Sequence, residues 1–207
     1  MNGLEIVIGD DFIFATLDNI GARDTKTTLK AIADLTLFNE HHLSFIDASL
    51  ALGASVDYNC KIKDMTISIT NGASAEAGKG IGQRHPCRIP VGARNIEIKG
   101  NLWFEDSLEY AKFWGGSAGV SANGSTTEAM VVTIDSGVDG SMELKFPALM
   151  YTDLKTPPSG RAEIVQAFSG IALIDTITLD DALTEIEAEL LATILNNNDD
   201  MDDDIVS

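Results

Sequence analysis

The sequence predicts a mainly β protein, built as an antiparallel β-sandwich or barrel with one short flanking helix. Several segments alternate between apolar and polar residues with a period of two, which is typical of strands that bury one face. Helix signals are few, and hydrophobic residues make up 44% of the 207 residues, enough for a sizeable core. This length fits one large β domain or two small ones.

The predicted strands fall along most of the chain. Near the start, Leu4–Ile8 and Phe12–Leu17 are candidate strands, whereas residues 38–57 are apolar without a firm period. Four later segments alternate or carry a β-branched run, which predicts strands at Lys61–Asn71, Arg94–Glu105, Glu128–Asp135 and Ser141–Leu149.

Two segments near the end of the chain are less regular. Arg161–Leu173 carries apolar residues on both faces, which predicts a strand buried on both sides. Thr184–Leu195 fits a strand or a helix, and we favour a strand because the chain is otherwise a β protein.

The predicted flanking helix is Ser107–Trp114, which follows an Asp106-Ser107 cap and ends at two glycines. A further helix is possible in Thr27–Leu37.

Charge is unevenly distributed. The chain has 32 acids, 14 bases and a net charge of -18, and eleven of the acids but no base lie in residues 175–207. So acidic a protein disfavours a role that depends on neutralising nucleic-acid phosphates. We expect residues 196–207 to form a disordered acidic tail, residues 58–195 to form the β domain, and residues 1–57 to be an arm or part of that domain.

Sequence signatures of membranes, secretion and disulfide frameworks are weak. No apolar run approaches the length of a membrane span, and no charged segment followed by an apolar stretch opens the chain. Two cysteines, Cys60 and Cys87, do not make a disulfide framework in a chain of this length. We therefore expect no contact with a membrane.

No ordered catalytic set is visible. Lys79 lies between glycines, but a phosphate loop requires four residues between its first glycine and the Gly-Lys pair, then Ser or Thr. A single His85-Pro86-Cys87 step is a weak zinc signal, because zinc ligands come in two closely spaced clusters. We therefore expect neither an enzyme nor a cofactor nor a metal site.

Two features indicate contacts rather than chemistry. Residues 72–92 are rich in Gly, Ala and Pro and carry three bases against one acid, which predicts a long loop of opposite charge to the rest of the chain. Trp103 lies on the polar side of its strand. It is therefore either a subunit contact or is covered by packing against the predicted helix.

The order of these segments resembles the tail tube proteins of long-tailed bacteriophages and related tailed viruses. The resemblance lies in three places: a strand ending at residues 67–71 before the long loop with its 82–86 and 90–94 stretches, a strand with a central glycine at 96–104 followed at once by the short helix, and the 142–149 segment before 157–160 and the 163–173 strand. It covers roughly residues 58–175.

This resemblance implies a structural role. Such proteins form a β-sandwich flanked by a helix, assemble into six-fold rings and stack into a hollow tube. Strands from each subunit line the lumen, a long loop reaches the neighbouring ring, and DNA passes through during infection. The expected partners are copies of the chain, other tail proteins and viral DNA that is not bound specifically. The expected location is the virion tail, assembled in the host cytoplasm.

These expectations single out particular residues. Polar-face acids Glu97 and Glu143 are candidates for a negatively charged lumen, since like charge discourages phosphate contacts. The candidate residues for contact between rings lie in the loop and are Lys79, Ile81, Arg84, Pro86 and Arg88. The alternatives are a tail terminator, an injection-system tube protein, or a cell-surface or carbohydrate-binding β-domain with calcium at its acid clusters.

Overall fold

The computed structural model describes residues 2–9, 13–19, 43–53, 58, 61–74, 81, 87–103, 127–137, 140–155, 165–179 and 184–196. This part of the chain contains eleven strands and one 3₁₀ turn, Phe45–Asp47. The strands are β1 (Gly3–Ile8), β2 (Ile13–Asp18), β3 (Ala48–Leu52), β4 (Ile62–Thr70), β5 (Asn95–Trp103), β6 (Thr127–Asp135), β7 (Gly140–Lys155), β8 (Val165–Leu173), β9 (Asp175–Thr178), β10 (Glu185–Ala188) and β11 (Leu191–Asn196). It includes no helix with the length and apolar character needed to span a membrane.

Nine of these strands form one antiparallel sheet. Its order is β2-β1-β4-β5-β8-β7-β6-β3, and β11 pairs with β7 beside that path. The sheet curls into a half-barrel. β9 and β10 form a separate two-stranded hairpin. The predicted mainly β, antiparallel class is confirmed, while the predicted helices Ser107–Trp114 and Thr27–Leu37 lie outside the described residues.

The core lies on one face of the curled sheet, which we call the inner face. One row crosses five neighbouring strands through Ile6, Ile67, Ile98, Gly170 and Tyr151. Ile67 and Ile98 are completely buried. Side chains alternate along each strand, so the neighbours of these inward residues in β4 and β5 point to the opposite face, which we call the outer face. The outer face carries mostly polar side chains. The alternation predicted for β4 and β5 is confirmed.

Strand β7 is longer than predicted and serves two ladders on one edge. Its first half pairs with β11, from Gly140 to Lys145, and its second half pairs with β8, from Ala148 to Lys155. Pro147 lies at the junction, where the register with β6 also shifts. A proline has no N–H to donate, so it fits at this interruption of both ladders.

Gly100 permits a close approach of two neighbouring strands. A Cβ at this position would lie 2.5 Å from the Asp64 carbonyl oxygen and 2.8 Å from the Phe168 ring. The register between β4 and β5 shifts beside Asp64, and Phe168 packs edge-on against Tyr151 with ring centroids 5.9 Å apart. The central glycine of β5 therefore makes room for both the bulge and the aromatic pair.

Two predictions about the end of the chain need correction. β8 is not buried on both faces: Gln166, Phe168 and Ala172 are buried, but the outward side chains are half-buried or exposed. Thr184–Leu195 is extended, as favoured, but it is not one strand. A bend at Glu189 and Leu190 divides it into β10 and β11, which pair with different partners. Ile194 in β11 is 69% exposed.

Candidate functional site

The outer face of the sheet carries the two predicted lumen acids. Glu97 on β5 and Glu143 on β7 are both partly exposed, and both point away from the core. Each forms an ion pair with the lysine two residues further along its strand. The distance is 2.9 Å from Glu97 Oε2 to Lys99 Nζ and 2.7 Å from Glu143 Oε1 to Lys145 Nζ. The sequence prediction named only the acids as lumen residues and did not predict that the lysines on the same polar faces pair with them.

A shallow polar depression lies on the outer face beside Lys99. Its volume is about 360 Å³. Asn101 Nδ2 donates hydrogen bonds to both carboxylate oxygens of Asp64, at 2.8 and 3.0 Å. Asp153 lines the same depression. Within the described ranges, no group of three or more His, Cys, Asp and Glu side chains could hold a metal ion. The depression is therefore best described as part of a polar, predominantly acidic surface.

Trp103 ends β5 on the polar side, as its parity predicts. It is half-buried, and Lys63 Nζ lies 5.5 Å from its ring centroid. The Trp103 backbone N–H donates to the Lys61 carbonyl at 2.8 Å. A lysine therefore covers part of the ring by a cation–π contact. The helix of the packing alternative lies outside the described residues, so a subunit contact stays a prediction.

The long loop leaves the sheet through a narrow neck, formed by residues 71–74 and 90–92. Gly92 N–H donates to the Asn71 carbonyl at 3.0 Å, and Ser74 N–H donates to the Pro90 carbonyl at 3.2 Å. Gly72 has a φ of 56°, and a Cβ on Gly92 would lie 2.7 Å from the Gly72 carbonyl oxygen. Only glycine fits such an approach, so the two glycines hold the stems of the loop together.

Asn2 attaches this neck to the start of β1. Its carbonyl accepts from the Asn71 N–H at 2.8 Å, and its Oδ1 accepts from the Ala73 N–H at 2.9 Å. The side-chain amide of Asn2 also donates to Asp18 Oδ2 at 2.8 Å. Asn2 lies far from the loop in the sequence, and no local pattern indicates this role.

The predicted contact residues of the loop are only partly described. Ile81 is fully exposed and Arg88 is exposed, and the described residues of the loop contain no strand or helix, as predicted. Lys79, Arg84 and Pro86 lie outside the described residues. Beside the neck, Arg94 Nε lies 2.7 Å from Glu189 Oε2, which connects the base of the loop to the bend between β10 and β11.

Strand β2 forms one margin of the sheet. β1 pairs with one side of β2, and no described strand pairs with the other side. The Ile13 N–H points away from β1, because it donates to the Leu43 carbonyl at 3.1 Å. Backbone groups in an antiparallel pair alternate in direction, so the N–H and C=O groups of Ala15 and Leu17 also point away from β1, at the open edge of the sheet. Phe14 is 61% exposed and Leu17 is 56% exposed.

The described surface thus combines a strand margin with exposed apolar side chains, a polar outer face with paired charges, and a loop with a fixed base. The paired charges follow from the sequence, because Lys99 and Lys145 each lie two residues from their acid and so share its face. The neck and the Asn2 contacts depend on long-range pairing. Comparison with known proteins assigns no family, since no family model and no curated protein matches the chain.

Proposed function

We propose that the chain is a structural subunit of a viral tail tube, which assembles into rings that stack around a DNA-conducting lumen. The observation that carries the proposal is the margin at β2. The described half-barrel ends there in a strand whose outward backbone groups beyond Ile13, at Ala15 and Leu17, meet no described strand. Unpaired strand margins favour pairing with another chain, and a copy of the same chain provides a complementary one.

The outer face and the resemblance of segment order support the same role. Glu97 and Glu143 lie on the outer face, where a lumen lined by strands would place them. The loop begins at a neck with fixed geometry, which suits a segment that contacts a neighbouring ring. The proposal includes no catalytic step. It locates the chain in the virion tail, with other tail proteins at the tube ends.

The experiment is negative-stain electron microscopy of the purified chain and of two β2 variants. Ala15→Pro removes an N–H that points away from β1 and adds a ring where a neighbouring strand would pair. It removes no hydrogen bond to β1. We expect the unaltered chain to form hollow tubes and Ala15→Pro to remain unassembled with an unchanged circular dichroism spectrum. Ala15→Val keeps the N–H and is the matched control, which should assemble.

Each result has a definite reading. An unaltered chain that stays monomeric at high concentration would refute the tube. Isolated rings without stacking would favour the tail terminator. Tubes formed equally well by Ala15→Pro would show that β2 is not the margin that pairs. Thr16→Pro provides a contrast, because the Thr16 N–H points towards β1, and its loss should destabilise the subunit itself.

A further inference from the structure

Two lysines of the outer face each lie in ion-pair contact with an acid of their own strand. Glu97 and Lys99 are neighbours on β5, and Glu143 and Lys145 are neighbours on β7, each pair in ion-pair contact. Residues two apart on a strand share a face, so each lysine has a carboxylate of its own strand beside it. These two pairs repeat one arrangement on different strands of the same sheet.

Further acids lie on the far side of Lys99. The cross-strand row from Lys99 passes through Ser169 to Asp153. Asp64 lines the same depression and accepts the Asn101 amide. The Lys99 ammonium therefore projects into surroundings in which carboxylates outnumber it, although its side chain is 59% exposed.

We propose that Glu97 and Glu143 act as masks: they occupy Lys99 and Lys145 so that these lysines do not bind the phosphates of a polyanion passing over the outer face. This inference rests on the proposed function for the identity of the polyanion, which is duplex DNA. A lysine that contacts a phosphate releases condensed counterions, which favours binding. A lysine already paired with a carboxylate gives up that pair when it contacts a phosphate, so the net gain is smaller.

The proposal predicts a gain of binding on removal of the acids. The probe is a random-sequence duplex of about 25 base pairs, followed by fluorescence anisotropy at low salt, with the full-length chain kept below its assembly concentration. The unaltered chain should bind weakly or not at all. Glu97→Gln with Glu143→Gln should bind at least about tenfold more tightly. The slope of log K against log salt should become steeper by about 0.9 for each lysine that contacts a phosphate.

Glu5 provides the matched control for net charge. It is exposed on the outer face and belongs to the same cross-strand row as Glu97, separated from it by Ser68. No described lysine or arginine lies within ion-pair distance of its carboxylate. Glu5→Gln changes the net charge as Glu97→Gln does, but it releases no lysine. Adding Lys99→Gln and Lys145→Gln to the double acid variant should return binding to the original level.

The outcomes distinguish failure of the proposal that Glu97 and Glu143 mask lysines from failure of the proposed tube function. Equal DNA binding by the double acid variant and the unaltered chain would overturn the masks, as would an equal gain per charge in Glu5→Gln. Tubes that form normally while the acid variants gain no affinity would leave the proposed function standing without the masks. A salt-dependent gain specific to Glu97 and Glu143, in a chain that never forms tubes, would support the masks and refute the tube.

Discussion

Substitution of Gly100 by alanine should destabilise the fold strongly, because the sheet has no room for a Cβ there. The new atom would meet the Asp64 carbonyl oxygen at 2.5 Å and the Phe168 ring at 2.8 and 3.0 Å. One of these contacts is backbone, so relief needs a shift of strand β4 as well as of a side chain. Overpacking in a core typically costs about 1–3 kcal/mol, and this position belongs at the upper end, about 2–3 kcal/mol.

The measurement is urea unfolding of unassembled protein, followed by tryptophan fluorescence. Gly100→Ala should lower the midpoint with little change in the slope. For a chain of this length the corresponding fall in Tm is about 4–12 °C. Gly9→Ala is the matched control: a Cβ at Gly9 meets nothing within 4 Å, and its φ lies outside the positive range. Its effect should stay within about 0.5 kcal/mol.

A double-mutant cycle identifies the source of the cost. Phe168→Leu removes the ring atoms that the Gly100 Cβ would meet but leaves the Asp64 carbonyl in place. The combined variant should therefore be less destabilised than the sum of the two single variants, with a coupling of about 0.5–2 kcal/mol. Equal stability of Gly100→Ala and Gly9→Ala would contradict the close contact of Gly100 with strand β4 and with the Phe168 ring.

Three further predictions concern the core, the loop neck and β11. Phe146→Ala should cost about 3–5 kcal/mol of unfolding free energy in the same urea assay, because the side chain is fully buried; a loss below about 1 kcal/mol would contradict the core assignment. Gly92→Ala should impair tube assembly more than subunit stability, measured by microscopy and urea unfolding in parallel, because it clashes at the neck with the Gly72 carbonyl. Ile194→Ala should change stability by less than about 0.5 kcal/mol, whereas Ile134→Ala should cost about 2–5 kcal/mol, because the two residues lie in one cross-strand row and differ in exposure.

The strands that face the core on one side could be predicted from the sequence. In β4 and β5 each inward residue is apolar and nearly each outward one is polar, so a period of two identifies both strands and their buried faces. β3 could not be identified, because only Leu50 and Leu52 point to the core and the strand is five residues long. Too few alternations remain there to distinguish a strand from an apolar loop.

The errors arose where side-chain character and burial differ. In β8 the buried face includes Gln166 and Gly170, and the outward face carries Ile171. Polarity therefore predicts the wrong number of buried faces. Gly170 is covered by Leu149, whose methyl group would lie 2.9 Å from an added Cβ, and only tertiary contact makes that position part of the core. Glu189, at the bend between β10 and β11, likewise forms an ion pair with Arg94, which is distant in sequence.

In the candidate site, too, features set within one strand could be predicted from the sequence, whereas features set by long-range pairing could not. The outward positions of Glu97, Glu143 and Trp103 followed from parity within their own strands. The place of β2 at the margin of the described sheet did not, because a pattern of residues identifies strands but not their order in a sheet. The loop neck depends on Asn2, whose partners lie about seventy residues away.

The shared edge of β7 has a mechanical consequence. β11 is attached to β7 by its ladder, and the end of β11 lies beside Gly140, at the start of β7. A force drawn from the carboxyl end of the chain would load those hydrogen bonds one after another, as in opening a zipper, rather than all at once. β8 pairs with the second half of β7, beyond Pro147, and its hydrogen bonds would not carry that load. Tension at the end of β11 would therefore be relieved by separation of this one strand, while the rest of the half-barrel remained whole.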